Sequence, residues 1–247
     1  MKKNIQTHII NQYQEQYPGY VLYKGPSAIN GEQILAILTT KSSNTKTGNI
    51  AQITYIPVDG YGDKHPLKKI RTEVKKAVCG SCPLLGGGCY VTPMGTASIK
   101  RAYFAGNYKD ISDDIQAIQA LLSKYIVRNG QDGDPLSIPF NLVNTISQFS
   151  MLHLSYSHIW KDNPEQAGNH MASVENIKDA IQAQEMGFKT FRVRENEDSP
   201  LTENEVLCPY ENDKSKQCQV CQLCTGDKCN IVVTAHGSGA KKIKFYK

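Results

Sequence analysis

The chain has 247 residues, a formal net charge of +5 at pH 7 and eight cysteines. This length allows one large domain with a substantial core, and the mild positive charge permits a nucleic-acid partner without requiring one. The sequence shows no secretory signal and no apolar run long enough for a bilayer, so we expect a cytoplasmic protein without membrane contact. In that reducing compartment, clustered cysteines are more often metal ligands than disulfides.

Residues 1–49 are polar at their start and are predicted to form an N-terminal extension. They include the apolar run 34–38, which is compatible with a strand or a helix. Segment 50–58 is rich in β-branched and aromatic residues and is predicted to be a strand. A basic helical segment, 65–76, leads into the first group of cysteines.

All the cysteines fall in two blocks. The first block is segment 77–91, which holds Cys79, Cys82 and Cys89, and the second is segment 207–230. The second block contains Cys208, Cys218, Cys221, Cys224 and Cys229.

A C-x-x-C pair brings two thiolates to one ion, and a closed zinc site uses four such ligands. The repeated C-x-x-C spacing of the second block is also used by iron–sulfur clusters. We therefore predict metal ligation by both blocks, with zinc or an iron–sulfur cluster as the cofactor. The predicted ligands are Cys79, Cys82, Cys89, Cys208, Cys218, Cys221 and Cys224. One shared site and two separate sites both stay open, as do the roles of Cys229 and of His236, which could replace it as a ligand.

From residue 110 onward, helices and strands alternate regularly. Helices are predicted at 111–123, 140–148 and 175–186, and strands at 125–127, 151–156, 170–174, 188–193 and 231–234. This alternation indicates βαβ crossovers and a mostly parallel sheet. We predict a single α/β domain, either a partial (β/α) barrel or an open sheet, with 207–230 as a cysteine-rich metal-binding insertion.

In both architectures, functional groups lie at the carboxyl ends of the strands. Asp132 and Asp134 follow one predicted strand and form the best candidate acid pair, one as nucleophile and the other as acid or base. The alternative is that both cap a turn. His158 follows the next strand and is a candidate general acid or base, a metal ligand or a structural polar residue.

Four further residues are candidates for substrate binding. Arg192 and Arg194 alternate on one strand face, where guanidinium groups suit a phosphate or a carboxylate, although internal salt bridges are the common alternative. Ser173 and Trp160 lie at the same expected edge.

Several ordered motifs resemble the cysteine-rich "gene product eighty-eight"-like proteins of tailed phages. They are S-S-N-T-K-T-G, C-G-S-C-P with G-C-Y-V, G-D-P, Y-S-H-I-W, M-A-S-V-E, G-F-K-T-F-R-V, C-x-x-C-x-L-C-x-G and A-H-G. The resemblance covers most of the chain from Lys41 to Gly237 and implies a phage protein in the cytoplasm of an infected host. It leaves Cys229 outside the family pattern.

The parallel layout with a late cysteine block is also similar, more distantly, to guanine transglycosylases. That resemblance implies a barrel with a structural zinc, and an exchange of guanine for a 7-deazaguanine base in DNA. One aspartate would attack the sugar C1′ and another would act as acid or base. Asp132 and Asp134 are the pair available for these roles, and this activity is the first prediction.

The second prediction is an iron–sulfur enzyme, because the same layout resembles radical S-adenosylmethionine enzymes. Those enzymes place three cysteines after the first barrel strand and leave one iron open for the cofactor. Cys79, Cys82 and Cys89 have this position, with the spacing C-x2-C-x6-C in place of C-x-x-x-C-x-x-C. A third prediction is a nucleic-acid-binding protein without catalysis, in which the metals are structural.

Overall fold

The structure is a computed structural model that describes residues 17–58, 70–91, 93–237 and 239–243. Within these ranges the strands are β1 (Gly19–Pro26), β2 (Gln33–Thr39), β3 (Ala51–Pro57), β4 (Lys109–Asp110), β5 (Ile126–Asp132), β6 (Leu152–Ser157), β7 (Met171–Val174), β8 (Thr190–Arg194), β9 (Glu205–Leu207) and β10 (Asn230–Thr234). Residues 65–69 of the predicted basic segment 65–76 lie outside the described residues.

The helices are short and mostly connect neighbouring strands. They are α1 (Lys76–Cys79), α2 (Pro93–Phe104), α3 (Ile115–Leu122), α4 (Phe140–Phe149), α5 (Ile177–Glu185), α6 (Pro209–Asn212) and α7 (Cys218–Cys221). A π-helical turn covers Ile70–Val74, and 3-10 turns cover Pro135–Ser137, Trp160–Asp162, Pro164–Gln166 and Ala240–Lys242.

The described strands form one sheet in the order β4-β1-β2-β3-β5-β6-β7-β8-β10-β9. From β3 to β9 every neighbouring pair is parallel, whereas β1, β2 and β3 pair antiparallel. The predicted α/β class with a mostly parallel sheet is confirmed. No pairing between described residues joins β4 to β9, so these strands form an open sheet.

The first part of the chain belongs to this sheet. β1 and β2 lie within segment 1–49, and β2 pairs along its length with β3. All seven residues of β3 are buried, which is expected for a strand covered on both faces. Segment 1–49 therefore contributes two strands to the main core.

Helix α3 is determined by a buried apolar face and by an N-terminal cap. Its Ile118, Leu121 and Leu122 are buried on one face, and the Asp114 side chain accepts a hydrogen bond from the Ala117 amide at 2.9 Å. An aspartate in this N-cap position satisfies a helix-end donor. The helix therefore begins at Ile115, four residues later than the predicted start at 111.

Strand β5 is longer than the sequence predicts. A loop is expected from Arg128 onward, whereas β5 continues to Asp132. Arg128 and Asn129 are buried, and both find hydrogen-bond partners, in Tyr90 and Tyr55. Buried polar side chains are tolerated in a strand when they are paired in this way. This extension places Asp132 at the carboxyl edge of the sheet.

Within the described ranges, no helix combines the length and apolar character needed to cross a membrane.

Candidate functional site

The loops that follow β3, β5, β6 and β7 meet at the carboxyl edge of the parallel strands. The Asp134 amide donates to the Val78 carbonyl at 2.5 Å, which ties the loop after β5 to the first cysteine block. The Asp134 carboxylate accepts from the His158 amide at 2.8 Å, and the His158 ring lies 2.9 Å from Glu175. Residues from four loops thus form one connected group, as the strand-end rule predicts.

Asp134 holds this group together. It is 5 % exposed, and its carboxylate accepts from the Leu136 amide at 3.0 Å and the Ser157 hydroxyl at 2.8 Å, besides the His158 amide. Burial is the largest influence on Asp134 and raises its pKa. The side chain caps the turn Pro135–Ser137, as the alternative interpretation of the sequence describes.

Asp132 faces a different partner. Both of its carboxylate oxygens contact the Lys75 ammonium, at 2.5 and 2.6 Å, and Thr96 donates to the same carboxylate. The Asp132 side chain is 2 % exposed and that of Lys75 is 12 % exposed. The two aspartates are therefore held by separate networks.

Cys79, Cys82 and Cys89 line a cavity of about 50 Å³, together with Lys75 and the glycine turn 86–87. Two tight turns bring the cysteines together, because the Cys82 amide donates to the Cys79 carbonyl at 3.1 Å and the Cys89 amide to the Leu84 carbonyl at 2.9 Å. Gly86 has φ +98°, a conformation that favours glycine.

The thiols of this first block influence one another. Burial raises the pKa of Cys79 well above its ordinary value, and the neighbouring Cys82 and Cys89 raise it further, against the opposing effect of Lys75. Burial also raises the pKa of Cys89. A cation beside three thiols favours their thiolate forms, which are the forms that bind metals.

His158 connects the first block to Glu175. Its ring hydrogen-bonds to Cys82 and, through Nε2, to the Glu175 carboxylate. Burial alone lowers the pKa of His158, but the charges and hydrogen bonds of Cys82 and Glu175 outweigh it and hold that pKa well above its usual value. The result is a thiol–imidazole–carboxylate chain at the edge of the cavity.

The second block gathers four cysteines. Burial raises the pKa of Cys224, and the nearby thiols of Cys208, Cys218 and Cys221 raise it further. Cys229 interacts with Cys221 at the side of this group. These four are the residues that the spacing predicts as ligands.

Backbone hydrogen bonds fasten the second block to the sheet and to loop 41–48. The Cys218 amide donates to the Lys46 carbonyl at 2.9 Å, and the Gln219 amide donates to the Thr47 carbonyl at 3.1 Å. The Cys208 amide donates to the Val232 carbonyl at 2.8 Å. The block therefore packs as part of the domain.

Among the described residues, no group of three or more His, Cys, Asp or Glu side chains is arranged so that it could hold a metal ion. All eight cysteines are free thiols. Metal ligation by either block stays a prediction.

The predicted substrate-binding residues contact other parts of the protein. Arg192 forms a buried bidentate pair with Glu205, at 2.6 and 2.7 Å. Arg194 donates to the Thr234 hydroxyl at 3.1 Å and to the Glu197 carbonyl at 2.9 Å.

The other two predicted residues are buried. Ser173 is 5 % exposed, and Trp160 is 2 % exposed. The Trp160 ring packs against Phe188 with 6.0 Å between ring centroids. Neither side chain is among those that line the three-cysteine cavity.

Two residues that the sequence does not single out lie beside the first block. Arg128 donates to the Tyr90 hydroxyl at 2.6 Å, and the Tyr90 ring lies 5.8 Å from that of His236. His236 thus lies next to Tyr90, the residue that follows Cys89. The sequence feature that could have identified Tyr90 is its position directly after Cys89.

The chain matches no family model, no curated protein and no solved structure.

Proposed function

We propose that this protein is an iron–sulfur enzyme of the radical S-adenosylmethionine type, with Cys79, Cys82 and Cys89 as the ligands of its catalytic cluster. One observation carries the proposal. Six described strands, β3, β5, β6, β7, β8 and β10, are parallel neighbours in chain order. The three-cysteine block follows the first of them, which is the position that the resemblance implies.

The composition of the first block is what such a group requires, and its three thiols line one cavity. Three cysteines are one fewer than a closed structural site uses, so a group held by them would keep a ligation position for a substrate or cofactor. The cavity of about 50 Å³ is several times the roughly 10–15 Å³ that one water needs, which leaves room for a group of several atoms. When bound, an iron–sulfur cluster supplies one-electron chemistry.

Lys75 and Asp132 set the charge around the cysteines. Lys75 places an ammonium near Cys79 and Cys89, where it offsets the negative charge of the thiolates. Asp132 holds that ammonium in place through both carboxylate oxygens. In this proposal Asp132 is a positioning residue for Lys75.

His158 and Glu175 support Cys82. Glu175 accepts from His158 Nε2 at 2.9 Å and so helps to fix the orientation of the ring that hydrogen-bonds to Cys82. A hydrogen bond of this kind to a sulfur ligand tunes the reduction potential of an iron–sulfur centre. It also places a proton donor at the edge of the cavity.

The second block has the composition of a closed site. Cys208, Cys218, Cys221 and Cys224 would complete four-cysteine ligation of zinc or of a second cluster. Its contacts with loop 41–48 and β10 give such a metal a structural role.

The transglycosylase proposal has less support from the geometry. It needs an aspartate free to attack a sugar, whereas Asp132 is paired with Lys75 and the Asp134 carboxylate accepts three hydrogen bonds. A nucleic-acid substrate, which the first and third predictions share, is supported by the net charge of +5. We keep nucleic acid, with DNA first, as the proposed substrate.

Metal analysis of the protein purified without oxygen tests the proposal. We expect a brown protein with iron and sulfide, and a loss of the iron of one cluster when Cys79, Cys82 and Cys89 are all replaced by serine. The matched control is Cys229→Ser, which should keep the full iron content. A colourless protein with zinc alone would contradict the proposal and favour a transglycosylase or a binding protein.

A further inference from the structure

Tyr90 is an exposed ring held in a fixed position beside the three-cysteine cavity. It follows Cys89 directly and is 45 % exposed. Its hydroxyl accepts a hydrogen bond from Arg128 at 2.6 Å, and Arg128 is only 6 % exposed. The hydrogen bond to a buried residue already restricts the rotation of the exposed ring, so the ring loses little conformational entropy when a ligand binds.

His236 provides a second exposed ring at the same place. The two ring centroids are 5.8 Å apart with an interplanar angle of 37°. His236 Nδ1 hydrogen-bonds to the Thr234 carbonyl at 2.9 Å, so this ring is also held at a polar atom. The rings come from the segments after β3 and β10, which meet only in the folded protein.

A basic side chain lies beside the three-cysteine cavity. Lys242 Cδ would be 3.3 Å from a Cβ built at Gly87, and Gly87 lines the same cavity. The Lys242 side chain is exposed. A cation at the cavity, together with an aromatic pair beside Cys89, suits a ligand that carries both a flat ring and a phosphate.

We propose that Tyr90 and His236 form a stacking platform for the nucleobase of a substrate, next to the three-cysteine cavity. The platform rests on the proposed function in one respect, because it takes the three-cysteine cavity as the reaction centre. Aromatic side chains stack on any base, because every base has a π face. Exposed aromatic rings of fixed orientation give contact area at a low cost in conformational entropy.

Binding of a fluorescein-labelled single-stranded DNA oligonucleotide tests the platform, by fluorescence anisotropy at low and high salt. Tyr90→Leu and His236→Ala should each weaken binding about tenfold. Tyr90→Phe keeps the ring and should lose less affinity. Phe104→Leu is the matched control, because Phe104 is a 64 % exposed ring elsewhere on the surface, and it should bind like the wild type.

Competition with guanosine distinguishes the two possible ligands of the platform, a free nucleoside and a base within a DNA strand. Displacement by guanosine supports a platform for a free nucleoside, whereas no displacement together with the Tyr90→Leu loss supports a base within a strand. Wild-type affinity in both Tyr90→Leu and His236→Ala would overturn the proposal, as would the absence of wild-type binding. A binding loss that disappears at high salt would also overturn it, because only phosphate contacts weaken steeply with salt.

Iron content, measured on the same samples, keeps the two proposals apart. A wild-type protein without iron that still shows the Tyr90→Leu loss would contradict the enzyme proposal and support the platform. A protein that contains iron but binds the oligonucleotide equally well with Tyr90→Leu and with His236→Ala would support the enzyme proposal and contradict the platform.

Discussion

His153 shows how a single buried side chain makes the fold sensitive to pH. It is 7 % exposed, and its Nε2 lies 3.1 Å from the Asn129 amide nitrogen. Because that amide donates, the ring nitrogen must accept, which requires the neutral imidazole. The His153 ring also interacts with the Asn169 backbone and lies 5.1 Å from the ring of His170, which is buried as well. Burial lowers the pKa of His153 to about 4.

We predict that the free energy of unfolding falls as the pH drops from about 6.5 to about 4. In that window the unfolded chain takes up a proton on His153 and the folded protein does not, so acid favours unfolding, by about 3 kcal/mol for this residue. Urea unfolding at several pH values in this range measures the slope, which is how steeply the free energy of unfolding changes with pH. His153→Gln, which can still accept from Asn129, should flatten it, and exposed His236→Gln should leave it unchanged. An equal slope in His153→Gln and the wild type would refute the prediction.

Loop 41–48 is the element that links the N-terminal strands to the second cysteine block. Gly48 has φ +72°, and a Cβ at this residue would lie 2.5 Å from Gln219 Cδ. The Gln219 side chain also accepts from the Asn49 amide at 2.9 Å. The loop and α7 therefore depend on each other's positions.

Gly48→Ala should destabilise the protein by about 1–2 kcal/mol, through backbone strain at positive φ and displacement of Gln219. It should also reduce metal retention by the second block while sparing the first. Gly31→Ala is the control, since Gly31 has φ +79° but no atom within 4 Å of its Cβ position. Chemical denaturation and metal analysis of both variants give the comparison. Equal effects of the two substitutions would show that the Gln219 contact is unimportant.

Across the whole molecule, the sequence predicts the parallel layout better than the site. The periodic segments after residue 110 lead to α3, α4, α5 and the strands between them, because local hydrophobic pattern decides those elements. Strand β9 depends on its pairing with β10, which follows the second cysteine block in the chain, and a local pattern does not contain that partner.

The site illustrates the same limit. The cysteine spacing indicates which thiols lie together, and the strand-end rule brings His158 and Glu175 to one edge. The partners of Asp132 and Arg192 could not be predicted, because Lys75 and Glu205 are remote or unremarkable in the sequence. Whether a charged residue faces a substrate or an internal ion pair is decided by the fold.

The most direct test of the central claim is electron paramagnetic resonance of the reduced protein, with and without S-adenosylmethionine. If the three-cysteine block holds a cluster with an open iron, the spectrum should change when the cofactor is added. The change should vanish when Cys79, Cys82 and Cys89 are replaced by serine, and persist in Cys229→Ser. A signal that is absent, or that is identical with and without S-adenosylmethionine, would contradict the account.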